Sequence, residues 1–233
     1  MKRIIKISLI LLLLGMAVIV AVPFLKEKRA EKKYENDFKN IQESVIEKKS
    51  DVNGLVKKNK DCIGYVEIPG TTISYPVMQT NKNPDFYLNH DFNRNYSFYG
   101  TPYLSAYCDV NKSDNLIIYG HNINGGKMFG ALEQYKDKEF FNKHRKIYFT
   151  TDKKREYEVF AVMSVNIHEF EYWKFVMARD AKEYDEFVDK VEEHSLWRQR
   201  NKPKYGEQML MLSTCDNRRG DDWRIVVIGK MIV

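Results

Sequence analysis

With 233 residues, of which 43% are hydrophobic and 13% aromatic, the chain is long enough for one medium-sized folded domain with an appendage, and its composition excludes a disordered protein. The net charge is +6, but Lys and Arg residues are interleaved with Asp and Glu, which is typical of a solvated surface and argues against a nucleic-acid groove. The same positive excess suits contact with an anionic membrane or cell-wall surface.

The first predicted element is a membrane anchor. No charged residue occurs from Ile7 to Leu25, a stretch of 19 residues in which Leu, Ile, Val and Ala dominate. This length matches a membrane-spanning helix and exceeds the apolar region of a secretory signal peptide. Small residues near Ala21 leave a cleavable signal peptide as the alternative. Positive residues flank the stretch on both sides, with more of them after it, so charge bias alone favours a cytoplasmic C-terminal domain, although large domains can translocate regardless.

A helical spacer is predicted over residues 26–60. Five apolar residues recur every three or four positions and would form one stripe along a helix, which Asn53-Gly54 is expected to interrupt. We interpret the stripe as packing on the flank of the folded domain, with a coiled-coil dimer as the alternative. The stripe residues are Tyr34, Phe38, Ile41, Val45 and Ile46.

Residues 61–233 are dominated by strand patterns and predict a mostly β domain with peripheral helices. Eight segments have the length and apolar content of strands, and eight strands suit a closed barrel that leaves no edge exposed. Helices are predicted near Met128–Tyr135 and from Asp180 to about Trp197. The predicted strands are 63–68, 73–78, 99–104, 116–119, 146–150, 157–165, 208–213 and 223–228.

Three cysteines are present, and only one of them has chemically suggestive neighbours. Cys62, Cys108 and Cys215 are an odd number without metal-ligand spacing, so neither a zinc site nor a disulfide framework is predicted. Cys62 and Cys108 are interpreted as small buried hydrophobic residues, and a bridge between them is the alternative. No carboxylate cluster has calcium-loop spacing, and no metal or cofactor is expected.

Side chains with complementary chemistry follow or open three of the predicted strands. Cys215 comes at the end of strand 208–213, Arg224 begins the next strand after a polar loop, and His121 follows strand 116–119. Neighbouring strands would bring a thiol, an imidazole and a guanidinium to one end of a sheet. That combination favours acyl transfer through a thioester. Gly125-Gly126 lacks the flanking residues of a phosphate-binding loop and is predicted to let the chain turn after His121.

These residues carry a family resemblance. Tyr119-Gly120-His121, Leu212-Ser213-Thr214-Cys215 and Arg224, in this order, resemble the catalytic signature of sortases, the cell-wall transpeptidases of Gram-positive bacteria. One departure is Met211, which stands where the family motif usually has Thr and is expected to affect packing more than chemistry. The resemblance runs from about residue 60 to the C-terminus. Segments that resemble class B sortases in particular are 63–69, 73–79, 87–92 and 126–129.

The resemblance implies a single-pass membrane protein whose sortase-like, eight-stranded barrel faces the cell exterior. Cys215 would be the nucleophile, His121 would exchange protons with it, and Arg224 would stabilise an oxyanion or hold the substrate backbone. By their location, Ser213, Thr214 and Tyr172 are expected to position the substrate. The helix that begins near Asp180 would help to wall the substrate groove, as it does in class B sortases.

The implied partners are secreted proteins that carry a C-terminal sorting signal of the Asn-Pro-x-Thr or Ser-Pro-x-Thr kind, and an amine of peptidoglycan or of its lipid-linked precursor. Several alternatives stay open. Arg218 and Arg219 are rivals of Arg224, and His168, in an aromatic-rich segment, is a reserve histidine. The domain could also be a hydrolytic cysteine peptidase or a non-catalytic anchored β-barrel binding module. The last alternative leaves His121 and Arg224 without a purpose.

Overall fold

This computed structural model describes residues 52–232 without a gap and, before them, only residues 6, 12, 15–26, 28, 29, 32, 33, 35, 36, 39 and 40. The chain divides into two compact units, Met1–Lys49 and Ser50–Val233. Every described residue of the first unit is helical. Among the residues with a described structure, no helix is both long and apolar enough to cross a bilayer. Part of the predicted span Ile7–Leu25, and all five stripe residues of the predicted spacer, lie outside the described residues.

The second unit is built mainly from strands joined by short helices. Its α-helices are α1 (Val52–Lys58), α2 (Lys138–Lys143) and α3 (Ala181–Glu193), and short 3-10 helices occur at Phe86–Leu88, Asn124–Gly126, Gly130–Lys136 and Tyr172–Lys174. Its strands are β1 (Cys62–Glu67), β2 (Ser74–Met78), β3 (Tyr103–Leu104), β4 (Asn115–Tyr119), β5 (Asn122–Ile123), β6 (Lys127–Met128), β7 (Lys146–Thr150), β8 (Lys154–Asn166), β9 (Ser195–Arg198), β10 (Met209–Cys215) and β11 (Trp223–Met231).

Eight of these strands form a closed barrel. The order is β11-β10-β4-β3-β2-β1-β7-β8, and β8 pairs back onto β11 to close the sheet, while β9 adds to β8 as a further strand. Each of the eight predicted strand segments overlaps one barrel strand, so the predicted eight-stranded barrel is confirmed. Strands β5 and β6 form a separate two-stranded sheet directly after His121.

Burial along the strands explains the pattern that predicted them. In β10 every residue from Met209 to Thr214 is buried, because the strand is covered on both faces, and β11 is buried from Ile225 to Lys230. In β7 only Ile147 and Phe149 are buried, so this strand has one covered face. Most core residues lie on the barrel strands, and the helices pack on β1, β8, β9 and β11.

The structure corrects three boundaries. The helix predicted from Asp180 to about Trp197 ends at Glu193, and Trp197 lies on β9, which pairs with β8. The predicted strand 99–104 is reduced to β3, Tyr103–Leu104. Asn53 and Gly54 lie inside α1, and Val52 and Leu55 of this helix are buried against the barrel.

Three glycines shape the turn after β4. A Cβ atom on Gly120 would lie 2.7 Å from the Phe129 ring, so only glycine lets the chain pass this close. Gly125 and Gly126 have φ angles of 76° and 75°, in the left-handed region that favours glycine. The predicted turn after His121 is therefore made by these two residues.

All three cysteines are free thiols, and two of them are buried. Burial raises the pKa of the Cys62 thiol to about 12 and that of the Cys108 thiol to about 11. The interpretation of both residues as small buried hydrophobic side chains is confirmed, and the alternative bridge between them is absent. Cys215 is the partly exposed member of the three.

We expect only Cys215 to be alkylated when the folded protein is treated with iodoacetamide at pH 8. A thiol reacts as its thiolate, and the raised pKa values keep Cys62 and Cys108 protonated at that pH, so they should react at least roughly tenfold more slowly than Cys215. Intact mass spectrometry with peptide mapping measures the site and rate of labelling. The unfolded protein, in which all three cysteines should be labelled, is the control, and rapid labelling of Cys62 in the folded protein would contradict this assignment.

Candidate active site

The register of three strands places the candidate residues side by side. β10 pairs antiparallel with β11, so that Cys215 lies opposite Arg224, and parallel with β4, so that Ser213 lies opposite Tyr119. Directly paired residues project from the same face of a sheet. Cys215 and Arg224 therefore occupy neighbouring positions on one face of the sheet, and the end of β4 lies beside them.

His121 follows β4 by two residues and enters the site through a fixed turn. The turn is tied to β10, since the Gly120 amide donates to the Ser213 carbonyl (3.1 Å) and the Thr214 hydroxyl donates to the Gly120 carbonyl (2.7 Å). The His121 ring lies parallel to the exposed Phe98 ring, with centroids 6.4 Å apart.

The imidazole of His121 is also held from outside the sheet. Its Nε2 lies 2.7 Å from the Leu88 carbonyl oxygen, at the end of the short helix Phe86–Leu88. A carbonyl can only accept a hydrogen bond, so Nε2 carries the hydrogen in this arrangement. The backbone at Leu88 thus fixes both the ring orientation and the protonated nitrogen.

Arg224 is held by the backbone next to it. Its Nη1 donates to the carbonyls of Asp221 (2.5 Å) and Trp223 (3.0 Å). A guanidinium has five N–H donors, and both of these bonds start from one nitrogen. Hydrogen bonding capacity therefore remains for a ligand in the groove.

A groove of about 990 Å³ runs past all three candidate groups. Apolar side chains form much of its wall. The guanidinium of Arg224, the ammonium of Lys174, the imidazole of His121 and the carboxylate of Asp85 also line it. A space of this size and character fits an extended peptide segment. Its other lining residues are Pro84, Leu88, Tyr103, Ser105, Ala106, Tyr107, Tyr119, Gly120, Trp173, Val176, Ser213, Thr214 and Cys215.

The three predicted substrate-positioning residues take different places. Ser213 and Thr214 line the groove, although both residues are almost fully buried. Tyr172 lies behind them: it is buried, and its hydroxyl is 2.7 Å from the Ser213 hydroxyl. Burial raises the pKa of Tyr172 to about 12, so its hydroxyl is neutral at physiological pH and supports Ser213 as a hydrogen-bonding group. Tyr172 can thus act on a bound peptide only through Ser213.

The rival residues have other contacts. The Arg219 guanidinium stacks on the Trp223 ring at 3.3 Å and its Nη1 lies 3.3 Å from the Ser164 hydroxyl, and neither Arg219 nor Arg218 lines the groove. His168 lies 3.6 Å from the Asp222 carboxylate at the exposed surface. In the described part of the chain, no group of three or more His, Cys, Asp and Glu side chains could hold a metal ion.

Several residues of the site were not identified as functional from the sequence. Leu88 contributes a backbone carbonyl, which has no pattern of its own. Asp85, Tyr103 and Tyr107 also line the groove, and the Tyr103 hydroxyl donates to the Asp85 carboxylate (3.0 Å). Tyr107 has 81% of its surface exposed, which a sequence pattern cannot distinguish from the buried tyrosines of the barrel.

Met211, the departure from the family motif, is fully buried on β10. Its sulfur lies 3.5 Å from the side-chain nitrogen of Asn115, which also donates to the Phe175 carbonyl (2.8 Å). Met211 does not line the groove, so its role is packing, as expected.

Comparisons with known proteins show the family and the fold. A family model described as a sortase domain matches residues 66–232. Sortase B of Staphylococcus aureus is 28% identical over 242 residues, covering 100% of this chain and 98% of the relative, and sortase B of Listeria monocytogenes is 30% identical over 190 residues, covering 80% and 76%. Among solved structures, a Staphylococcus aureus sortase B–substrate complex matches with a TM-score of 0.78 and 27% identity, covering 87% of this chain and 97% of that one.

A Clostridium perfringens sortase B structure matches with a TM-score of 0.73 and 29% identity, covering 78% of this chain and 99% of that one. The match to the family model includes His121, Cys215 and Arg224. The chain therefore belongs to the sortase family of cysteine transpeptidases, and the relatives it resembles are class B sortases.

Proposed function

We propose that this sortase is anchored in the cell membrane with its barrel outside, where it cleaves a C-terminal sorting motif of the Asn/Ser-Pro-x-Thr kind in secreted proteins. It transfers the shortened protein to an amine of peptidoglycan or of its lipid-linked precursor. The observation that carries the proposal is the pairing of Cys215 with Arg224 at the end of β10, in a groove that also contains His121.

In the first half of the reaction, Cys215 is the nucleophile. Its thiolate attacks the carbonyl carbon of the motif threonine, and the resulting tetrahedral intermediate collapses by breaking the C–N bond after that threonine. The departing amine takes a proton from His121, and the threonine carbonyl remains on sulfur as a thioester. A free thiol has a pKa of about 8.5 and is only a few per cent thiolate at neutral pH, so a neighbouring proton acceptor or positive charge is required.

In the second half, the peptidoglycan amine attacks the thioester carbonyl. Its proton passes to His121, the C–S bond breaks, and sulfur leaves as the thiolate that began the cycle. The Leu88 carbonyl supports this proton exchange because it keeps the imidazole in one orientation. In a catalytic triad, the third group orients the base in the same way.

Arg224 stabilises the negative oxygen of both tetrahedral intermediates. A guanidinium group is unsuited to act as a base, but it can donate hydrogen bonds to an oxyanion. The carbonyls of Asp221 and Trp223 hold it beside Cys215 before substrate arrives. Such preorganised donors need no rearrangement during the reaction.

The groove supports recognition of a peptide without a cofactor. Leu88, Tyr107, Trp173 and Val176 offer apolar and aromatic surface, and the Ser213 and Thr214 hydroxyl groups lie next to Cys215 in the chain. We assign substrate positioning to Ser213 and Thr214 directly and to Tyr172 through its hydrogen bond with Ser213. The similarity to a sortase B–substrate complex supports a peptide-bearing substrate.

The proposed membrane anchor is the uncharged stretch Ile7–Leu25. We expect the full-length protein to sediment with membranes and to need detergent for release, since a span of about 20 apolar residues holds a helix in the bilayer. Because the barrel is proposed to face outward, protease added to intact cells should digest it. Fractionation with immunoblotting measures all three. Digestion only after cell lysis would place the barrel inside the cell, and a secreted form beginning near Ala21 would instead indicate a cleaved signal peptide.

The reaction itself is tested by intact mass spectrometry of the full-length protein after incubation with Asn-Pro-x-Thr and Ser-Pro-x-Thr peptides. We expect an adduct that carries each reactive peptide only as far as its threonine and disappears when an amine is added. Cys215→Ala, in which the nucleophile is removed, should form none. Cleavage with equal yield in the presence and absence of the amine would favour the hydrolytic peptidase, and no adduct with any peptide would count against the proposed motif.

Arg224→Lys keeps the positive charge but loses the planar fork of donors, so turnover should fall about 100-fold, the usual cost of losing one oxyanion donor. The measurement is the steady-state rate of peptide transfer to an amine. Arg219→Lys is the matched control, because Arg219 has the same charge but lies outside the groove. Near-normal turnover for Arg224→Lys, with a loss for Arg218→Lys or Arg219→Lys, would move the role to one of those residues.

A further inference from the structure

The turns that carry Cys215 and His121 are joined, behind the groove, by a closed ring of polar contacts. We propose that this ring, made by Asn122, Glu133, Lys136, Asp216 and the Cys215 carbonyl, is a positioning device that sets the thiol relative to the imidazole. The proposal deepens the proposed function, since it concerns the same thiol and the same reaction. Together these five groups form the polar ring.

Each link of the polar ring is short. The Asn122 side-chain nitrogen donates to the Cys215 carbonyl (2.8 Å) and to the Glu133 carboxylate (3.0 Å). The Lys136 ammonium lies 3.0 Å from the other oxygen of Glu133 and 2.7 Å from Asp216. Asp216 follows Cys215 in the chain, and Asn122 follows His121. The ring therefore connects Asn122, the residue after His121, to the carbonyl of Cys215 and to the side chain of Asp216, the residue after Cys215.

The ring is too well buried to be a surface ion pair. The Asp216 side chain is fully buried, and the Glu133 and Lys136 side chains are 19% and 26% exposed. Burial by itself raises the pKa of Asp216, but hydrogen bonds from Lys136 and Ser164 outweigh it and hold the pKa below its usual value. Asp216 is thus kept as a carboxylate, and a buried carboxylate keeps its partners in place because losing one is costly.

Neighbouring elements fix the ring from outside. The Ser164 hydroxyl, on β8, donates to the second oxygen of Asp216 (2.7 Å), and the Trp197 indole, on β9, donates to the Lys136 carbonyl (3.1 Å). The Asn217 side chain donates to the Asn122 carbonyl (3.3 Å). Hydrogen bonds from a barrel strand, from β9 and from the loop after β10 therefore hold the ring in place.

The position of the ring argues for an indirect role. None of the four side chains lines the groove, so none is placed to contact substrate. The Asp216 carboxylate bonds to Lys136 and Ser164, not to His121. A misplacement of reacting groups by about 1 Å can reduce a rate about 100-fold, so a device that fixes two turns relative to each other affects the rate without touching the reactants.

The test compares three variants of the full-length protein. Asn122→Ala cuts the ring without changing any charge. Lys136→Met cuts it and leaves Asp216 without its cation, and the double variant Lys136→Met/Asp216→Asn cuts it while removing both charges. Two activities are measured: the rate of Cys215 alkylation by iodoacetamide, and kcat and KM for transfer of an Asn-Pro-x-Thr peptide to an amine. Thermal unfolding midpoints are measured in parallel.

We expect all three variants to lower kcat by about 10- to 100-fold, to slow alkylation, and to change KM less than about threefold, because the groove is intact and only the reacting geometry is disturbed. The unfolding midpoint should fall for Lys136→Met and largely recover in the double variant, because the fully buried Asp216 carboxylate is then removed and only the partly exposed Glu133 carboxylate has lost its cation. Recovery of kcat together with the midpoint in the double variant would overturn the proposal, since the ring would then be only structural. So would unchanged kcat and alkylation rate in Asn122→Ala.

Lys202→Met is the matched control for the loss of a lysine that bridges two carboxylates. Lys202 contacts Asp189 (2.6 Å) and Glu192 (3.2 Å), on α3 and outside the groove lining. The Lys202→Met variant should keep the kcat and the Cys215 alkylation rate of the unmodified protein. A fall in kcat as large as that of Lys136→Met would overturn the special role of the polar ring. If the unmodified protein transfers no peptide, the proposed motif fails, and the alkylation rates alone decide whether the polar ring positions Cys215.

Discussion

The site depends on the two-sided pairing of β10. This strand has β11 on one side in antiparallel register and β4 on the other in parallel register, and both pairings are needed to bring Cys215, Arg224 and the turn before His121 together. Slippage by one residue would turn every side chain of β10 to the opposite face. Since Met209 to Leu212 are all fully buried, and burying each such side chain is worth about 1.5–3 kcal/mol, the packing of the apolar part of the strand fixes the register of its reactive end.

Local pattern was enough to predict the strands but not their neighbours. Apolar runs such as Leu116–Ile118 and Ile225–Ile228 have the length of buried strands, and turn residues bound them, so each barrel strand left a signal in the sequence. The parallel pairing of β4 with β10 joins segments about 95 residues apart, as with Ser213 and Tyr119, and no periodicity encodes it. The resemblance to a family, based on the order of His121, Cys215 and Arg224, is what predicted that these residues share one site.

The errors and omissions also have physical reasons. The helical pattern was extended to Trp197 because Val188, Val191 and neighbouring residues recur at helical spacing, but backbone pairing of Ser195–Arg198 with β8 ends the helix at Glu193. The contact of His121 with Leu88 uses a backbone oxygen, which every residue has. The polar ring joins four side chains from three separate segments, each of which alone reads as an ordinary surface charge or amide.

Main-chain carbonyls take part in holding all three candidate catalytic residues, together with the side chains of the polar ring. The Leu88 carbonyl accepts from His121, the carbonyls of Asp221 and Trp223 accept from Arg224, and the carbonyl of Cys215 accepts from Asn122. Because these anchors are backbone carbonyls, the position of the main chain at residues 88 and 221 affects the site more than the side chains there do. The thiol and the remaining guanidinium donors can then interact with a peptide in the groove. The rigidity of the barrel, which sets those positions, is therefore itself part of the reaction geometry.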